Sequence, residues 1–216
     1  VPFSTDFSDE TQRADWVCED VSWTYDETAG AMNCYGPSQL FSRGINLEGG
    51  KTYRLTYTYM AGALVWGYVF PESYTILCGR DGEPLSERDV LQEVTDDYTE
   101  DAYVSDYVNV KIDETGVYSF GFKQDEFLGL LYVKSISVTE VAPYDVKIER
   151  VAGLPSMLPV GQAGALPVKV NVLNRGSETV SGEVTVTSGG KVVGTAEYKE
   201  LAAGDDVMVT VTASMP

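Results

Sequence analysis

Residues 166–188, LPVKVNVLNRGSETVSGEVTVTS, decide the architecture. Val168, Val170 and Val172 share one face of an extended segment, with Lys169 and Asn171 on the other. After a polar interval, Val184 and Val186 alternate with Glu183, Thr185 and Thr187. A period of two, with β-branched residues on one side, predicts half-buried antiparallel strands. Between them, NRGSETVSG carries Asn174, Gly176, Ser177 and Gly182, which adopt turn geometry at low cost. The segment predicts a β-sandwich with no chemistry of its own.

The charge balance narrows the function classes. The chain has 216 residues, with 33 acidic and 15 basic side chains and a net charge of −18. Residues 1–142 carry 25 acidic and 9 basic groups; residues 143–216 carry 8 and 6. So acidic a first domain repels phosphate backbones and anionic lipid surfaces, which argues against nucleic-acid binding. No stretch approaches the ~20 apolar residues that span a bilayer, so direct membrane insertion is not expected. Histidine is absent, which removes the commonest general base and most zinc sites. The three cysteines, Cys18, Cys34 and Cys78, lack C-x-x-C spacing, so a redox or zinc role is not expected.

Short strands punctuated by turns run through the first 142 residues. An acidic loop is expected from Ser8 to Asp15. WVCEDVSWTYDETAGAMNCYG (16–36) reads as two strands joined by DETAG. A turn centred near Asp26 brings Cys18 and Cys34 roughly opposite, at a separation a disulfide can bridge. The free-thiol alternative stays open. Tyr53, Leu55, Tyr57 and Tyr59 lie on one face of the next strand, as an inner sheet face or as a stacking platform. ALVWGYVFPE (63–72) is a Gly-interrupted apolar loop. Its Trp66, Tyr68 and Phe70 are the candidate ligand-binding residues. The competing reading folds that loop over one end of the sandwich as a plug. PLSERDVLQEV (84–94) predicts one short helix, with Ser86 and Asp89 as a capping pair before Val90, Leu91 and Val94. The whole predicts an all-β jelly-roll sandwich with one short helix.

The runs SYTILCG, PLSERDVLQEV, YVNVKIDETGVYSFGFK and LLYVKSISV resemble the cleaved-adhesin, or choice-of-anchor J, jelly-roll domains of bacterial surface proteins. Gly116, Tyr118, Gly121 and Phe122 carry the G-x-Y-x-x-G-F signature. These domains are similar in turn to MAM-like and carbohydrate-binding jelly rolls. The resemblance implies a secreted or cell-surface location, with a glycan or a host or cell-surface protein as partner. Such domains often hold a structural calcium. Here Ser8, Val133 and Lys134 stand where acidic residues are frequent, and Asp6, Asp9, Glu19 and Asp20 are the remaining candidate ligands for that ion.

Pro143 makes a short, stiff joint, and residues 143–216 form the second expected domain. Its D-V-x-I start at Asp145, Pro159-Val160-Gly161, V-x-V-x-N-x-G from Val170 to Gly176, GGKVVGT, and L-A-A-G-D from Leu201 resemble the bacterial cell-adhesion-related domain. That resemblance implies an immunoglobulin-like sandwich of roughly seven strands. Together the two domains predict a non-catalytic extracellular adhesion or carbohydrate-binding module, part of a larger surface protein. The alternative makes them accessory domains of a secreted glycoside hydrolase or peptidase whose catalytic domain lies elsewhere.

Overall fold

Two rows of side chains that alternate in sequence meet face to face in the first half of the chain. The computed structural model describes residues 2–18, 23–84, 87–124, 130–154 and 164–214. The chain divides into two compact units, Val1–Glu140 and Val141–Pro216.

The first unit contains β1 (Pro2–Thr5), α1 (Glu10–Arg13), β2 (Trp16–Cys18), β3 (Trp23–Asp26), β4 (Ala31–Tyr35), β5 (Ser38–Ser42) and β6 (Ile45–Leu47). It continues with β7 (Thr52–Ala61), β8 (Ala63–Val65), β9 (Tyr68–Phe70), β10 (Glu72–Arg80), β11 (Asp89–Asp97), β12 (Val104–Lys111), β13 (Gly116–Gln124) and β14 (Leu130–Glu140). One antiparallel sheet runs β12-β7-β14-β4-β3, with β1 also on β14; the other runs β11-β10-β13-β5-β2, with β6 also on β13. They form a jelly-roll β-sandwich. Tyr53, Leu55, Tyr57 and Tyr59 of β7 are all buried, as are Tyr74, Ile76 and Cys78 of β10 and Phe120 and Phe122 of β13. Tyr57 meets Phe122 edge-on at 5.5 Å, and Tyr59 meets Tyr74 at the same separation. The tyrosine row is therefore core and not a stacking platform.

Two expectations fail for identifiable reasons. Residues 89–94, the greater part of the expected 84–94 helix, belong to β11 on the edge of β10. Leu85 and Ser86, half of its supposed cap, lie outside the described residues. The register shift at Ile76/Leu77, which skips Leu91 between Gln92 and Val90, breaks the strand parity, so Leu91 and Val94, three residues apart, both pack on the core. A bulged strand thus imitates helical spacing, and the open edge of β10 overrides local propensity. The helix among the described residues is instead α1, in the expected Ser8–Asp15 loop, where the Asp9 side chain accepts from the Thr11 amide. Nor do Cys18 and Cys34 form a disulfide. The β3–β4 hairpin pairs Cys34 with Trp23, whereas β2 belongs to the other sheet and pairs Cys18 with Leu40.

The second unit contains β15 (Val146–Ala152), β16 (Ala165–Asn174), β17 (Val180–Ser188), β18 (Lys191–Leu201) and β19 (Asp206–Ser214). β15, β16 and β19 form one sheet, and β17 and β18 form a hairpin. Five strands are therefore present among the described residues, against roughly seven expected; Pro159, Val160 and Gly161 lie outside them. β16 and β17 do not pair with each other, and the polar interval between them carries the chain from one sheet to the other. Val168, Val170, Val172, Val184, Val209 and Val211 are buried in one core, with Val186 and Val207 packed against it.

Asn174 holds that crossing together. It is fully buried, donates through Nδ2 to the Glu178 and Leu201 carbonyls at 2.8 and 3.0 Å, and accepts from the Gly176 amide at 3.0 Å. Gly176 is dictated by space, because a Cβ there would lie 2.5 Å from the Pro143 carbonyl oxygen.

Two measurements test this packing. Asn174→Ala removes the side-chain donor from the Glu178 and Leu201 carbonyls, while the Gly176 amide keeps its bond to the Asp145 carbonyl, so it should cost the second unit about 1–3 kcal/mol, read as faster amide exchange at Val170 and Val209. Burial, reinforced by Asp89, pushes the Cys78 thiol up to about 12, so it stays protonated through neutral and mildly alkaline pH. Iodoacetamide at pH 8 should leave it unmodified in the native protein and alkylate it once the chain is unfolded.

Candidate functional site

Between β7, in one sheet, and β10, in the other, the chain makes a small arm of its own, β8 and β9. Leu64 pairs with Val69 and Val65 with Tyr68, so the connection is the two residues Trp66 and Gly67. Both have positive φ, +51° and +82°. That is the primed turn whose twist matches a two-stranded ribbon. Glycine adopts it freely. A bulky residue at Trp66 costs about 1–2 kcal/mol, because its Cβ crowds the backbone.

The arm buries little of its apolar surface. Trp66 is 93% exposed and Tyr68 is 71% exposed. Directly opposed residues of a ribbon share a face. One face therefore carries Val65, Tyr68, Ala63 and the half-buried Phe70, and the other carries Leu64 and Val69. Leu64 and Val69, at 53% and 50%, are also exposed, so both faces meet solvent. The three expected residues thus lie on one hairpin, with Trp66 at its tip, Tyr68 exposed beside it and Phe70 at its base. The plug reading does not hold, since the aromatic tip faces outward. Sequence reading missed Leu64, Val65 and Val69 as part of the same surface; their signal was the unbroken apolar run around Gly67.

The base of the arm is tied to the Asp96–Asp101 segment. Thr99 donates its amide to the Ala61 carbonyl at 3.1 Å, and its Oγ1 accepts from the Ala61 amide at 3.1 Å. Gly62 sits where a Cβ would lie 2.9 Å from the Phe70 carbonyl oxygen and from the Tyr98 ring. That segment carries Asp96, Asp97, Glu100 and Asp101 and no basic residue. It forms an acidic collar beside an apolar arm.

Of the four expected calcium ligands, Asp6 and Asp9 lie within the described residues, and each is engaged locally. The Asp6 carboxylate accepts from the Ser8 amide and hydroxyl at 3.1 and 2.7 Å, and these bonds hold its pKa below the ordinary value. Asp9 accepts from the Thr11 amide and hydroxyl at 2.7 and 2.6 Å, with the same effect. Both carboxylates serve local turns and the α1 cap. Glu19 and Asp20 lie outside the described residues. Among the described residues no three His, Cys, Asp or Glu side chains are placed to share a metal ion. A shallow polar trough of about 320 Å³ lies elsewhere, lined by Ser4, Thr56, Ser135, Ser137, Asp6 and Gln12, and no aromatic side chain lines it.

The sequence matches no protein-family model and no curated protein. Among solved structures it is similar to the K2 cleaved adhesin domain of Lys-gingipain of Porphyromonas gingivalis, at 14% identity over 64% of this chain and 99% of that one, with a TM-score of 0.47. It is similar to the CBM22-1 xylan-binding domain of Paenibacillus barcinonensis Xyn10C, at 9% identity over 64% and 92%, with a TM-score of 0.45. It is also similar to the C-terminal CBM6 of the laminarinase LamC of Zobellia galactanivorans, at 18% identity over 64% and 99%, with a TM-score of 0.40.

Proposed function

We propose that this chain is a non-catalytic binding module of adhesion or carbohydrate-binding type, belonging to a larger secreted or cell-surface protein, and that the β8–β9 arm is its recognition element. The observation that carries the reading is Trp66, held outward on a two-residue turn in a backbone conformation that disfavours it. An exposed tryptophan at positive φ gains nothing for folding, so its value lies in what it touches. A short two-stranded ribbon holds it with little freedom, and rigid aromatic contacts bind at low entropic cost. The second unit, of the cell-adhesion-related type, acts as a spacer or docking platform, as its apolar valine core suits.

Stability and binding should separate at Trp66. Asparagine is tolerated at positive φ, so Trp66→Asn should leave the melting temperature unchanged or raise it, by up to about 1 kcal/mol of stability. The same variant should lose binding of the full chain to whole epithelial or bacterial cells and to a glycan array. Equal binding by Trp66→Asn and the parent would overturn the assignment. Robust turnover of glycoside or peptide substrates, abolished by one carboxylate change, would overturn the non-catalytic reading.

A further inference from the structure

The arm presents more than an aromatic tip, and the manner of its exposure constrains the partner. A flat ligand such as a sugar ring covers one face of a ribbon. Here Tyr68 and Val65 on one face and Leu64 and Val69 on the other are exposed together, with Trp66 beyond both. The arm also supplies few polar groups. From Ala63 to Phe70 the side-chain hydrogen-bonding atoms are the Trp66 indole N–H and the Tyr68 hydroxyl. Sugar recognition needs several such atoms around the stacking ring, because every hydroxyl removed from water must be satisfied. Apolar contact on two faces and a tip is satisfied by a cleft that closes around all three.

Charge supplies the second constraint. The collar tied to the arm's base through Ala61, Gly62 and Thr99 carries Asp96, Glu100 and Asp101 at the surface and no basic residue, while Oδ2 of Asp97 is buried. Glu100 and Asp101 are exposed. As the arm enters a cleft, these groups come to lie against its rim, where like charge repels and opposite charge attracts. We infer that the partner of the β8–β9 arm is a protein bearing an apolar cleft with a rim of lysine and arginine, which takes the arm as an inserted wedge. This rests on the assignment of the arm as the recognition element. A second copy of the chain is the less favoured occupant, because residues 1–142 carry 25 acidic against 9 basic groups and residues 143–216 carry 8 against 6.

The test uses the full chain, Trp66→Asn, and the double variant Glu100→Gln with Asp101→Asn. Each is applied to an array of purified secreted and cell-surface proteins of known structure, to a glycan array, and to sedimentation over a range of concentrations. The expected result is a set of protein hits with apolar clefts and basic rims. Trp66→Asn should weaken them about thirtyfold, as the loss of a buried aromatic anchor does. Raising the salt concentration should weaken the parent several-fold and the double variant much less. Protein hits that lack a basic rim, or the absence of any Trp66-dependent hit, overturn the inference. Trp66-dependent binding confined to glycans, or a Trp66-dependent dimer, overturns it while leaving the arm as recognition element. Hits that Trp66→Asn binds as tightly as the parent overturn both.

Discussion

The contact between β7 and the facing β10 and β13 is the constraint from which the rest of the first unit follows. Tyr57 against Phe122 and Tyr59 against Tyr74 fill the space between the sheets with rings set edge to face. Burial keeps the Tyr57 and Tyr74 hydroxyls protonated far above their usual range. The Tyr57 hydroxyl lies 3.3 Å from both Gln92 Oε1 on β11 and Asp106 Oδ2 on β12, the outermost strands of the two sheets. The aromatic layer therefore reaches the rim on its polar ends. Because β7 and β10 belong to opposite sheets, residues 62–71 must cross between them, and the arm is what the chain does on that crossing.

Much of the fold could be read from alternation alone. The valines of β16 and β19 and the tyrosines of β7 kept a strict period of two because each strand has one dry face. Reading failed where parity was broken. In β11 the register shift at Leu91 brought Leu91 and Val94 to the same side and gave a strand the spacing of a helix. The Cys18–Cys34 pairing failed for a different reason. Local spacing cannot reveal that β2 leaves for the other sheet before β3 begins.

The candidate site was legible in part. Trp66, Tyr68 and Phe70 stood out because aromatics beside Gly67 and Pro71 are hard to bury. Their outward direction was not legible, since an apolar loop that plugs a sandwich has the same composition. Nor could the sequence bring the collar to the arm, because Ala61 and Thr99 meet only after both sheets have formed. The acidic residues near the start of the chain show a different overlap. Asp6 and Asp9 have the composition of a cation site, and each also accepts, through Oδ1, hydrogen bonds from a residue two positions on. Short-range turn chemistry and metal binding draw on the same side chains.

The turn at Trp66-Gly67 has an implication for how such a chain can change. Gly67 alone satisfies the more demanding half of the bend, and the neighbouring position tolerates asparagine, aspartate or glycine better than the residue it holds. Nothing in either hydrophobic interior depends on the side chain at 66. The tip is therefore free to vary: related chains can exchange its residue by altering one codon, while the scaffold beneath stays as it is.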